Sequence, residues 1–201
     1  MALRNAFGVV DEFERRVAEY AGSKYAVAVD CCTSAIFLCL KYVKAQRVIC
    51  PARTYVSVPM AVIHAGAELE LDDFEWRGVY QLKPYEIFDG AKRFTRGMYQ
   101  GGLHCLSFHT KKILNIGRGG MILTDDERAV RWLKLSRYDG RQEKHYGDGD
   151  ICQLGWHAYM TPEQAARGLT LLDVLPETNE DQTEDYPDLR SMPVFRCVSA
   201  S

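Results

Sequence analysis

Apolar runs of strand length alternate with apolar stretches of helix length along most of this chain, and small-residue turns separate them. Tyr25-Ala26-Val27-Ala28-Val29 ends at Asp30, then Cys31-Cys32-Thr33-Ser34 leads into a second apolar stretch from Ala35 to Val43. The pattern repeats with Arg47 to Cys50 as a strand, Pro51 to Thr54 as its turn, and a helix from Val56 to Ala65 closed by Gly66. A third strand, Ala67 to Leu71, runs into Asp72-Asp73. Such alternation predicts an α/β fold: a mostly parallel sheet flanked by helices. Ahead of it, Val10, Phe13, Val17 and Tyr20 recur at helical spacing, and Gly22 stands where the helix needs a left-handed stop.

Further along, Phe74 to Leu82 carries no clear pattern, whereas Tyr85 to Phe88 reads as a strand with Asp89 at its carboxyl end. Open α/β sheets place ligand-contacting residues there. Leu103 to Phe108 and Gly119 to Thr124 are further strands, and Glu127 to Ser136 is a helix. Arg137 to Gln153, rich in Gly, Asp and charge, is a long loop. Thr161-Pro162-Glu163-Gln164 opens a last helix with Ala165, Ala166, Leu169 and Leu172 turned inward. The expected organisation is one domain over residues 1–175 and a loosely ordered carboxy-terminal arm, 176–201, without a domain of its own.

Composition excludes several function classes. The 27 acidic and 25 basic residues nearly balance at a net charge of −2, and no basic stripe forms, which argues against nucleic-acid binding. No apolar run approaches the roughly 20 residues that span a bilayer, and no leader pattern opens the chain, so a cytoplasmic protein without a membrane segment is expected. The cysteines at 31, 32, 39, 50, 105, 152 and 197 include no C-x-x-C pair. They read as reduced thiols acting as small core residues, and no metal site is expected.

Chemistry concentrates in Ser107-Phe108-His109-Thr110-Lys111-Lys112, followed by Gly117-Arg118-Gly119-Gly120. A lysine just past a strand end can have its pKa lowered by an apolar, cation-lined site, as a Schiff-base nucleophile needs, but two adjacent lysines on a turn can equally be solvated. Read with Ala28 to Ala35, Pro51 to Ser57, Phe88-Asp89-Gly90-Ala91 and Gly119 to Thr124, the segment resembles the successive motifs of the DegT/StrS family. These are fold-type I enzymes that depend on pyridoxal 5'-phosphate (PLP), mostly nucleotide-sugar aminotransferases. The resemblance covers roughly residues 10 to 175.

That resemblance implies roles residue by residue. The family's Ser-Phe-His-x-x-Lys pattern falls on Ser107, Phe108, His109 and Lys112, so Lys112, not Lys111, is the Schiff-base lysine. Asp89 pairs with the pyridine nitrogen, Tyr55 stacks on the ring, and Cys32, Thr33 and Ser107 hold the phosphate. Three positions depart from the family. Cys31-Cys32-Thr33 replaces Ser-Gly-Thr, and Lys92 stands near the ring oxygen in place of Gln or His, or faces solvent. His157, in Gly155-Trp156-His157, takes the place of an Asn that reaches the neighbouring subunit's phosphate. The family's long segment before the cofactor aspartate shrinks to Asp73 to Phe88, and no counterpart of its carboxy-terminal small domain is expected in these residues.

The function implied is a homodimeric aminotransferase that moves an amino group from glutamate to a nucleotide-linked keto sugar. Two alternatives are a PLP-dependent sugar dehydratase, disfavoured because Lys112 is retained where those relatives carry histidine, and a catalytically reduced PLP-binding homologue acting as an assembly partner.

Overall fold

The computed structural model describes residues 7–143 and 150–198, the last three as backbone only. Among the described residues, seven strands and six α-helices follow in the order α1 (Gly8–Ala21), β1 (Tyr25–Val29), α2 (Cys32–Tyr42), β2 (Arg47–Pro51), α3 (Ser57–His64), β3 (Glu68–Asp72), β4 (Tyr80–Gln81), β5 (Ile87–Asp89), β6 (Leu103–Ser107), β7 (Gly120–Thr124), α4 (Glu127–Ser136), α5 (Pro162–Leu172) and α6 (Pro193–Val198). A 3-10 turn, Leu189–Ser191, precedes α6.

The main sheet has the order β1-β7-β6-β5-β4, and β2 and β3 pair in parallel beside it. An antiparallel bridge from Ile49 to Lys83 joins the two, with Ile49 N–H donating to Lys83 O at 2.8 Å and Lys83 N–H returning to Ile49 O at 3.0 Å. Following the pairings across the array, β1, β2, β3, β5 and β6 run one way, and only β7 and the short β4 oppose them. The parallel direction therefore dominates although the sheet is mixed.

Both faces are covered, which is why the strands read as continuous apolar runs. Val27, Val29, Ile87, Cys105 and Ile122 pack on one side with residues of α2, α3 and α4. Ala26, Ala28, Leu106, Met121 and Leu123 pack on the other with residues of α1 and α5. Cys39, Cys50 and Cys105 are fully buried core thiols.

Among the described residues β1 pairs in the main sheet only with β7, and side chains close its other edge at Ala28. Ala28 N–H donates to Glu14 Oε1 at 2.8 Å, and Arg137 donates to Ala28 O at 2.6 Å and to Glu14. Arg137 is fully buried and Glu14 is 4% exposed; Glu143 also pairs with Arg137 at 2.7 Å and Lys134 with Glu14 at 2.8 Å, so a network of four charges closes this edge.

Most expected elements form, with four differences. Helix α2 starts at Cys32, three residues before its apolar stretch. The patternless segment before Leu82 contains β4. On α5, Ala166 is exposed and Gly168 takes the inward position against Phe13. The arm from Pro176 is docked: Arg93 grips Asp181 through two hydrogen bonds of 2.8 and 2.6 Å, and Leu189 and Phe195 are 3% and 1% exposed. Residues 144–149 of the expected loop lie outside the described residues, and no described helix is long and apolar enough to cross a membrane.

Candidate active site

The carboxyl ends of β5 and β6 and the amino end of α2 meet around a cavity of about 560 Å³, within the range of ordinary ligand pockets. Ser107 ends β6, and the chain then turns through His109 to Lys112, where Lys112 N–H donates to His109 O at 2.8 Å. Phe108, Leu114 and Ile116 anchor this turn in the core, so its apolar residues face inward and Lys112 is left half-buried at the cavity. Burial lowers the Lys112 pKa, and the nearby cation of Lys92 lowers it further. Lys111 is exposed at the rim.

Asp89 stands on the cavity floor at 5% exposure. Its Oδ2 accepts from the Tyr80 hydroxyl at 2.6 Å and its Oδ1 from Ala91 N–H at 2.9 Å. Burial raises the Asp89 pKa, and the Tyr80 hydrogen bond is the largest effect opposing that rise. The Cys32 thiol approaches Oδ1 at 3.9 Å, so the side chain that replaces glycine turns along the floor toward the carboxylate.

The first amides of α2 have no intrahelical acceptors, and Cys31 supplies no side-chain cap. This open helix end lines the cavity together with Thr33, Ser57 and Ser107, and Thr33 Oγ1 lies 2.7 Å from Ser57 Oγ. Close approach here depends on β7, because a Cβ on Gly120 would sit 2.5 Å from the Cys31 carbonyl carbon and 2.7 Å from Cys32 N. Tyr55, 58% exposed, covers the mouth.

Lys92 does not face solvent; it is 6% exposed and paired with Glu184 of the carboxy-terminal arm. Tyr186 follows, its hydroxyl 3.0 Å from Glu184 Oε2 and its ring stacked 6.2 Å from Trp76. The structure thus brings Lys112, Asp89, Tyr55, Cys32, Thr33, Ser107 and Lys92 to one cavity. His157 is not among its lining residues: its side chain is exposed on the surface, with Nδ1 3.1 Å from Asp139 Oδ2. Tyr80, Glu184 and Tyr186 escaped the sequence reading, since no motif or periodicity marks them.

These residues fit PLP. An open helix end with three hydroxyls suits its phosphate, a buried carboxylate its ring nitrogen, an amine of lowered pKa its aldehyde, and an aromatic ring its face. Over residues 5–87 and 95–191 the sequence matches the DegT/DnrJ/EryC1/StrS aminotransferase family. The chain belongs to this family.

Members of the DegT/DnrJ/EryC1/StrS family and their solved structures are PLP-dependent aminotransferases. A UDP-4-amino-4,6-dideoxy-N-acetyl-beta-L-altrosamine transaminase of Campylobacter jejuni is 23% identical over 222 residues, covering 87% of this chain and 59% of the relative. A GDP-perosamine synthase of Caulobacter vibrioides is 27% identical over 212 residues, covering 83% and 57%. In fold, AtS13 of Actinomadura melliaura superposes with a TM-score of 0.73 at 21% identity, over 83% of this chain and 60% of AtS13. The chain therefore spans less than two thirds of the length of these relatives.

Proposed function

We propose that this protein is a PLP-dependent aminotransferase that takes an amino group from glutamate and delivers it to a nucleotide-linked keto sugar. One observation carries the reading: an amine of lowered pKa, Lys112, and a buried carboxylate, Asp89, line the same cavity as an open helix amino terminus. When bound, PLP supplies an electron sink for charge that develops at the substrate's amino-bearing carbon. Lys112 Nζ, its proton loosened by burial and by Lys92, serves as nucleophile and then moves the proton at that carbon. Asp89 holds a proton on the ring nitrogen, and Thr33, Ser57, Ser107 and the α2 amides hold the phosphate. The nucleotide-sugar acceptor is carried over from the names of the two relatives, and glutamate from the family resemblance.

The same reading makes the enzyme a homodimer. Ile151 and Leu154 are 66% and 86% exposed beside Gly155-Trp156-His157, an apolar surface suited to a second copy, and His157 would reach that copy's phosphate site.

Purified protein given PLP should develop an absorbance band in the visible. Borohydride should then fix the cofactor's mass to the peptide containing Lys112, and Lys112→Ala should abolish both signals. Added glutamate should bleach the band. Failure of wild-type protein to develop the band, or an equally yellow Lys112→Ala variant, sinks the proposal.

A second reading, a PLP-binding homologue without turnover, is favoured by one observation: Glu184 and Tyr186 stand in the cavity that a substrate must enter. A band that glutamate leaves untouched would select it.

A further inference from the structure

Asp89 is braced by two hydroxyls that the proposed reaction does not itself employ. In the β4–β5 pair Tyr80 lies directly opposite Asp89, so the two side chains share one face of the sheet. The Tyr80 hydroxyl is 2.6 Å from Asp89 Oδ2, and Thr54 Oγ1, on the turn after β2, is 2.6 Å from the Tyr80 hydroxyl. Thr54 is 2% and Tyr80 5% exposed, which leaves water little part in these contacts. The Tyr80 ring is fixed from the side by Trp76, 4.6 Å away between centroids.

Proton counting sets the direction of the chain. A phenol has one O–H, so when Tyr80 donates to an ionised Asp89 its oxygen is free to accept, and Thr54 supplies that proton. Donors arrayed in series polarise one another and favour the charged acceptor at the end. Ala91 N–H holds the other carboxylate oxygen, Oδ1, at 2.9 Å and also lowers the Asp89 pKa, whereas most of the titratable side chains around Asp89 carry no charge to help. Cys32 of α2, Cys50 of β2, Cys105 of β6 and Tyr186 of the arm all have pKa values pushed up, foremost by burial, and are neutral at pH 7. Lys112 is the cation whose field lowers the Asp89 pKa, and its own pKa is depressed.

We infer that Tyr80, backed by Thr54, is a positioning residue that keeps the Asp89 carboxylate ionised and aimed so that it can pair with a protonated pyridine nitrogen. The inference rests on the PLP reading for its purpose, but the hydroxyl chain can be tested without cofactor. Tyr80→Phe keeps the ring and deletes the donor, and Thr54→Val keeps the shape and deletes the second hydroxyl.

In cofactor-free protein with 13C-labelled aspartate carboxyls, the Asp89 resonance, assigned through Asp89→Asn, should titrate about one pH unit higher in Tyr80→Phe than in wild type. Thr54→Val should move it in the same direction by less, and it carries the test should Tyr80→Phe fail to fold. With PLP, Tyr80→Phe should bind the cofactor several-fold more weakly and lower kcat while leaving KM for glutamate nearly unchanged. An Asp89 midpoint that stays at the wild-type value in the folded variants overturns the inference. A shifted midpoint in a protein that never takes up PLP upholds the hydroxyl chain and sinks the cofactor reading instead.

Discussion

At the scale of single residues, Lys112 owes its expected reactivity to company as well as burial. Lys92, held 6% exposed beneath the carboxy-terminal arm, lowers the Lys112 pKa, while the carboxylates of Asp89 and Glu184 raise it. Substitutions at Lys92 and Glu184 should therefore act with opposite sign. Lys92→Met removes a cation, so the Lys112 amine holds its proton to higher pH, and the pH at which PLP is captured at half-maximal rate should rise by about one unit. Glu184→Gln leaves Lys92 uncompensated, and the same midpoint should fall, by less than that because Glu184 is partly solvated. Stopped-flow absorbance across a pH series checks both. That Lys112, Asp89, Ser107, Thr33, Tyr55 and Lys92 meet at one cavity was legible in the sequence because each sits in a contiguous motif. Glu184 and Tyr186 were not, because they enter the site from a distant segment whose run of acids reads as solvated surface.

Whole elements were legible for a related reason. Strands buried on both faces write themselves as unbroken apolar runs, and helices with one buried stripe write their own period. Strand β4 stayed hidden because two residues carry no period, and the start of α2 was misplaced because Cys31 makes none of the side-chain caps that announce a helix. That uncapped start leaves amides free for phosphate, and it depends on close passage of β7. Gly120→Ala would push a methyl against the Cys31–Cys32 peptide, shifting the helix end. PLP affinity should drop at least about tenfold and the urea midpoint should fall, in line with the roughly 1–3 kcal/mol that overpacking costs. Fluorescence titration and urea unfolding measure the two effects.

On the scale of the whole molecule, the arm from Pro176 is the main revision of the sequence reading. Its acids looked like the mark of a loose tail, yet Asp181 and Glu184 pair with Arg93 and Lys92, and Leu189 and Phe195 fill core positions. Sequence alone could not show this, because the partners lie about 90 residues away in the chain. The exposed Ile151 and Leu154 belong to the proposed two-fold contact. Leu154→Glu should convert a dimer to a monomer in light scattering after size exclusion, and should weaken PLP retention if His157 serves the neighbouring site.

Strand β1 pairs in the main sheet with β7 alone, so residues 25–29 must wait for residues 120–124. On the ribosome, the segment carrying β1 emerges with a bare strand edge and an unfilled apolar layer about 90 residues before its partner has been made. Consolidation is deferred until β7 has emerged, and the nascent chain is sticky throughout that interval.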